Sequence, residues 1–132
     1  MTDFQTLLDR YNTLKGDRLN RKLMEEQPKI DPESNLATHF ETGKWNSHTC
    51  VAAILDRNLR VLEILYENGI QLTEACFVEA ARMGYMDIFE FLLGRCPISD
   101  SIMEKISNAT SDDKYKQVLD CINTVHKYSF LY

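Results

Sequence analysis

Ala80-Ala81-Arg82-Met83-Gly84-Tyr85-Met86-Asp87-Ile88-Phe89-Glu90-Phe91-Leu92-Leu93-Gly94-Arg95-Cys96 is the stretch that decides the fold. It reads as two short helices joined at Gly84, because apolar residues recur at helical spacing on both sides of a residue suited to a turn that needs positive φ. Gly94 suits the C-terminus of the second helix. The small side chains of Ala80 and Ala81 let a neighbouring helix approach closely. Working outward, the same pattern stands 27 residues earlier, where Ala53-Ile54-Leu55-Asp56-Arg57-Asn58-Leu59-Arg60-Val61-Leu62-Glu63-Ile64-Leu65-Tyr66 runs beneath Ala80 to Leu93. Ala53 then matches Ala80, Val61 matches Ile88, Glu63 matches Glu90 and Leu65 matches Leu92, with Arg57 in the place of Gly84. A weaker third copy sets Tyr115-Lys116-Gln117-Val118-Leu119 beneath Phe89 to Leu93 at an offset of 26, with Ile102-Met103-Glu104-Lys105-Ile106 as its first helix. Three helix pairs at a near-constant period point to a solenoid, in which each unit buries its apolar face on the next.

The helix, turn and helix of these copies resemble the core of an ankyrin repeat. The positions matching its T-P-L-H signature are His48-Thr49-Cys50-Val51 and Ala75-Cys76-Phe77-Val78, so the turn proline and the threonine–histidine pair are replaced. The period is also about six residues shorter than usual. The resemblance covers Thr49 to Ile98, fades in the third copy and is absent from the first 45 residues. Divergent, shortened repeats of this kind are similar to those in proteins of large DNA viruses and of intracellular bacteria. The resemblance implies an all-α fold, a short ankyrin-like helical-pair solenoid with an N-terminal helical cap. It also implies a non-catalytic adaptor or inhibitor that binds another protein. In ankyrin-like geometry the residues flanking the turn glycine face a concave groove. Arg82, Met83 and Tyr85, Leu55 and Asp56 of the preceding copy, and Glu79 and Trp45 beside them are therefore the expected partner-binding residues. An arginine, an aromatic and a methionine on one face are types that protein interfaces favour. The alternative for these side chains is packing on the neighbouring helix pair.

Residues 1–44 are expected to form the helical cap and a linker, and residues 45–132 the repeats with a degenerate C-terminal capping repeat. Thr2 or Asp3 can cap a helix carrying Phe4, Leu7, Leu8, Tyr11 and Leu14, which is expected to stop near Lys15-Gly16. A second helix, about Asp17 to Gln27, carries Leu19, Leu23 and Met24 on one side, so the two are expected to form a hairpin that shields the end of the stack. The prolines of Gln27-Pro28-Lys29-Ile30-Asp31-Pro32 mark the boundary. After them Ser34 can cap a short helix through Leu36, Ala37 and Phe40, ending at Gly43. At the far end, Lys114 to about Lys127 presents Val118, Leu119, Ile122 and Val125 to close the last repeat. The apolar tail Tyr128-Ser129-Phe130-Leu131-Tyr132 either folds back on the stack or docks into another subunit. Docking through this tail or the N-terminal helices gives the alternative function: a structural subunit of a larger assembly, for example a viral particle, with self-association through the tail.

Composition bounds the remaining options. With 44% hydrophobic and 27% charged residues, the 132-residue chain has the makeup of one globular domain. Its net charge of −5 repels a nucleic-acid backbone or an anionic membrane, so neither is an expected partner. The basic cluster Lys15, Arg18, Arg21 and Lys22 has Asp17, Glu25 and Glu26 as neighbours and reads as a solvated helix face. Cys50, Cys76, Cys96 and Cys121 form no CxxC pair and no zinc-type spacing, which suits structural thiols in a reducing compartment. The N-terminus lacks the features of a signal peptide and nowhere do about 18 apolar residues run together. An intracellular, soluble protein, cytoplasmic or carried in a virion, is the expectation.

Chemistry finds little support in the chain. His48 lies close to Cys50, but residues two apart on a helix point to different sides, and Cys50 aligns with the core position Phe77. His39 and His126 are isolated. Asp112-Asp113 read as a helix start capped by Ser111 or Asp112. The five glycines are singletons and form no phosphate loop. No catalytic residue, cofactor or metal is expected.

Overall fold

The helix starts are written in short polar side chains. Asn46 accepts hydrogen bonds from the backbone of His48 and Thr49 at 2.9 and 3.3 Å, while Thr49 Oγ1 accepts from the Asn46 backbone at 3.1 Å, closing a reciprocal capping box. Asn58 and Ser99 each accept from the backbone three residues on, at 3.1 and 3.2 Å. Thr73 stands at the equivalent start of a further helix without such a bond; its hydroxyl meets the Cys76 thiol at 3.7 Å. Asn46, Thr73 and Ser99 follow one another at intervals of 27 and 26 residues, the same offsets that relate the apolar pattern.

A computed structural model describes the backbone of residues 4–129 and all of their side chains apart from those of residues 4, 8, 9, 11–15 and 126–129. The expected caps Thr2 and Asp3, the side chain of Tyr128 and residues 130–132 of the tail lie outside what is described. Within it the chain is all-helical: α1 (Phe4–Glu26), a turn of 3-10 helix at Gln27–Lys29, then α2 (Asn35–Thr42), α3 (Ser47–Leu55), α4 (Leu59–Glu67), α5 (Glu74–Met83), α6 (Met86–Leu93), α7 (Asp100–Ala109) and α8 (Asp112–Ser129). No described helix is long and apolar enough to cross a membrane.

The helices pack in two rows. In one, α2 lies against α3, α3 against α5 and α5 against α7; in the other, α1 lies against α4 and α6 against α8. Tyr66 of α4 and Phe91 of α6 meet edge to face at 6.1 Å and link the second row. The consecutive helices α3 and α4, α5 and α6, and α7 and α8 pack on each other across the rows.

Burial follows the internal offset. Thr49, Cys50, Ala53, Ile54, Val61, Leu62, Ile64 and Leu65 are buried, and so are the residues 27 further on, namely Cys76, Phe77, Ala80, Ala81, Ile88, Phe89, Phe91 and Leu92. In the third pair, Ile102, Ile106 and Val118 stand 26 residues after Cys76, Ala80 and Leu92, and are buried likewise. Each fully enclosed aliphatic or aromatic side chain contributes about 1.5–3 kcal/mol, so this ladder is the main source of stability. Ala53 and Ala80 are completely buried where the first-row helices meet, which is what their small size permits.

The N-terminal region departs from the expected hairpin. α1 runs without a break through Gly16, and a Cβ built there would meet nothing within 4 Å. A glycine inside a helix costs about 1 kcal/mol relative to alanine. Leu19 and Leu23, one turn apart, are 5% and 0% exposed, and burying them outweighs that cost. The helix therefore tolerates the glycine, and the expected turn is not made. The short helix expected from Ser34 to Gly43 is present as α2, and Gly43 ends it in the left-handed conformation at φ 65°.

Candidate functional site

The expected groove is built on the turns between paired helices, so its geometry begins with their backbone. In the α5–α6 turn, Tyr85 N–H donates to the Ala80 carbonyl at 3.0 Å and Gly84 N–H to the Ala81 carbonyl at 3.1 Å. In the α3–α4 turn, Asn58 N–H donates to the Ala53 carbonyl at 2.8 Å and Arg57 N–H to the Ile54 carbonyl at 2.9 Å. These are the paired bonds that end a helix with one left-handed residue, and both pairs sit at the same offset. Gly84 takes the left-handed position at φ 74°, where it carries no Cβ penalty. Arg57 takes it at φ 53°, alone among described non-glycine residues.

Arg57 is held there by its neighbours. Its guanidinium lies 4.7 Å from the centre of the Tyr85 ring and 3.5 Å from an Asp87 carboxylate oxygen. The strained residue of one turn thus reaches the start of the next helix pair. A similar reach follows one unit later, where Lys114 Nζ donates to the Arg82 carbonyl at 2.7 Å. These contacts link the turns along one edge of the molecule.

The expected partner-binding residues divide among these surroundings. Glu79 and Arg82 come together: Arg82 Nε donates to a Glu79 oxygen at 3.0 Å and a second guanidinium nitrogen at 2.6 Å, with the Arg82 side chain 48% exposed. Tyr85 sits two residues beyond Met83, across Gly84; both are half-buried, and Tyr85 packs on the core beneath the Arg57 guanidinium. Leu55 is half-buried at the end of α3. The Asp56 carboxylate is engaged elsewhere. It accepts from the backbone N–H groups of Asn35 and Leu36 at 3.0 and 2.8 Å and from the Asn35 side chain at 2.8 Å. It therefore caps α2 from the turn of the next pair, while the Ser34 hydroxyl donates to the Asp31 carbonyl. Trp45 belongs to the opposite concern of holding α1. Its indole N–H donates to Asn20, and its ring meets Phe40 edge to face at 5.1 Å. Neither Trp45 nor the Asp56 carboxylate is brought into a cluster with Arg82, Met83 and Tyr85 by these contacts.

The participants that sequence reasoning missed are Arg57, Asp87 and Lys114. A signal existed only for Arg57, which aligns with Gly84 and so inherits its backbone conformation.

The cysteines are buried or half-buried, and the two described histidines, His39 and His48, are half-buried and exposed. Cys50 and Cys76 are fully buried. Burial, and then the neighbouring Cys76, push the Cys50 thiol up to about 12, so it carries almost no thiolate at neutral pH. Burial likewise raises Cys96, with Cys76 second, and Cys121, with the Glu90 carboxylate second. His48 is exposed while Cys50 is enclosed, so the two do point apart. His39 meets the buried Thr49 hydroxyl through Nδ1 at 3.0 Å, a threonine–histidine contact joining α2 to α3. Among the described residues, no group of three or more His, Cys, Asp and Glu is placed to hold a metal ion.

Compared with known proteins, the chain matches no family model, no curated protein and no solved structure.

Proposed function

We propose that this chain is a divergent, short-period ankyrin-like solenoid that works as a non-catalytic adaptor or inhibitor, holding a partner protein against the edge around Gly84. The recurrence of N-caps, buried positions and turn hydrogen bonds at 27 and 26 residues supports the solenoid reading, since stacked units must repeat their contacts. The observation that carries the binding assignment is the half-exposed Arg82 guanidinium, fixed in direction by Glu79, with Met83 and Tyr85 half-buried close by in sequence. An oriented arginine beside an aromatic and a methionine supplies the anchor types on which interfaces concentrate their energy. Tyr85 is partly committed to Arg57, so Arg82 and Met83 are the leading anchors. The free, fully buried thiols of Cys50 and Cys76 fit a reducing, intracellular setting.

The test is affinity capture from the native host with the intact protein and with an Arg82→Glu, Met83→Glu variant. The expected result is a defined set of captured proteins that the variant loses while its thermal midpoint is unchanged. Retention of the same set by a folded variant would remove the assignment.

A second reading, a structural subunit of a larger assembly, is favoured by α1. Leu7 and Met24 are 53% and 43% exposed there, among the large hydrophobics with the most surface. That reading predicts self-association in light scattering which Leu7→Lys and Met24→Lys weaken. A monomer over the whole accessible concentration range would discard it.

A further inference from the structure

Beyond the α5–α6 turn, α6 and α8 leave a groove of about 520 Å³ between them. From α6 it is lined by Met86, Asp87 and Glu90, and from α8 by Gln117, Asp120, Cys121, Thr124 and Val125. The α8 residues recur at i, i+3, i+4, i+7 and i+8, one stripe of that helix extending over about 12 Å. Met86, Cys121 and Val125 supply apolar floor, all of them half-buried. Among the described residues the charge in the lining is of one sign: Asp87, Glu90 and Asp120 contribute carboxylates, and no described lysine or arginine lines it. Asp87 is answered by Arg57 at 3.5 Å, whereas Glu90 and Asp120 are exposed along the groove. Burial, and then the Glu90 carboxylate, raise the Cys121 thiol.

We infer that this groove receives a short basic amphipathic helix of a partner protein, its apolar side on Met86, Cys121 and Val125 and its lysines or arginines against Glu90 and Asp120. A wall of α8 some two turns long, faced by about one turn of α6 over an apolar floor, suits a helix laid in a groove, and the acidic rim sets the charge of the guest. An acidic or neutral helix would bury the same apolar surface without that complement. Neither Arg82 nor Met83 lines the groove, so either assignment can stand without the other.

The test uses the full chain and two labelled peptides of about fourteen residues, one built of leucine and lysine with an amphipathic pattern and one with glutamate replacing lysine. Fluorescence anisotropy is read at about 0.15 M salt, where long-range attraction to a net acidic protein is screened. The lysine peptide is expected to bind the native protein, and a Glu90→Lys, Asp120→Lys variant to lose at least about tenfold in affinity. A control with the same change in net charge, Glu33→Lys with Glu104→Lys, both exposed residues away from the groove, is expected to stay within about twofold. Should the lysine variant fold poorly by circular dichroism, Glu90→Gln with Asp120→Asn serves in its place with a smaller loss in the same direction. Equal weakening by groove and control variants, equal binding of the glutamate peptide, or no binding of the lysine peptide would each overturn the inference. Arg82→Glu with Met83→Glu is expected to leave peptide binding intact, so failure here and failure of the edge assignment are distinguishable.

Discussion

The α3–α4 and α5–α6 pairs share a backbone plan and solve its local problems with different side chains. Where the second pair buries Phe77 and Phe89, edge to face at 5.7 Å, the first buries Cys50 and Leu62 at the same positions. Where the second turns on Gly84, the first turns on Arg57 and stabilises the awkward conformation with a tyrosine and a carboxylate from its neighbour. Where the second leaves Met83 half-buried beside its turn, the first commits Asp56 to capping α2. The hydrogen bonds that define each turn are the same. A repeated backbone can thus be specified by its carbonyls and amides while the side chains are free to bind neighbours, and those neighbours differ because one pair faces the N-terminal helices and the other faces α7 and α8.

The sharpest way to break this equivalence is in the core. Phe77→Ala is expected to cost about 3–5 kcal/mol in chemical denaturation, since it removes a buried ring and its aromatic partner contact. Cys50→Ala, at the equivalent place, is expected to cost only on the order of 1 kcal/mol for its smaller lost volume. It also flattens the alkaline limb. The Cys50 thiol is raised from 9.0 to about 12 in the fold, so its contribution is complete below pH 9 and is lost as pH climbs from there towards 12. Equal costs for the two substitutions would mean that the pairs do not occupy equivalent cores.

Next in size is the long-range cap. Asp56→Ala is expected to destabilise by about 1–2 kcal/mol and to increase amide exchange at Asn35 and Leu36, whose N–H groups lose their acceptor. Met83→Ala, two positions before the N-cap of α6 as Asp56 is before that of α4, is expected to leave exchange in α2 unchanged. An Asp56 variant without local exchange in α2 would show that the cap is replaceable by water.

The two turns give smaller and unequal effects. Gly84→Ala forces a side chain into the left-handed region and is expected to cost about 1 kcal/mol by thermal unfolding, with its new Cβ still 3.9 Å from Lys114. Arg57→Gly relieves the same strain but gives up the ring and carboxylate contacts, each worth no more than about 1 kcal/mol at an exposed site, so it is expected to fall near zero. Arg57→Ala keeps the strain and loses the contacts. The difference between these two Arg57 variants, expected near 1 kcal/mol, reads the backbone cost directly.

Much of this was legible in the sequence because it is local. Apolar residues at helical spacing announced α3 to α8, and the 27-residue offset announced which of them would be equivalent. Gly43, Gly69 and Gly84 ended helices as their residue type suggests, whereas Gly94 closes α6 at φ −72° and Gly16 lies inside one. Gly16 carried no local mark of a helix interior: α1 packs on α4, about 40 residues away in the chain, a contact that no local rule contains. The same holds for the candidate edge. Arg82 and Glu79 are three apart on one helix and their pairing is a local matter, but Asp56 reaches back 20 residues to Leu36 and Trp45 reaches back 25 to Asn20. Residue types that favour interfaces are also those that satisfy distant backbone and side-chain groups, and only the tertiary arrangement decides between these uses.

Trp45 offers a practical consequence. It is the single tryptophan of the chain, and both of its anchoring contacts, Asn20 and Phe40, belong to α1 and α2. Its emission therefore reports on the N-terminal end, whereas far-ultraviolet dichroism averages over every helix. Divergent melting curves from the two signals would reveal the first two helices detaching before the rest, and would turn one indole into a built-in gauge of fraying.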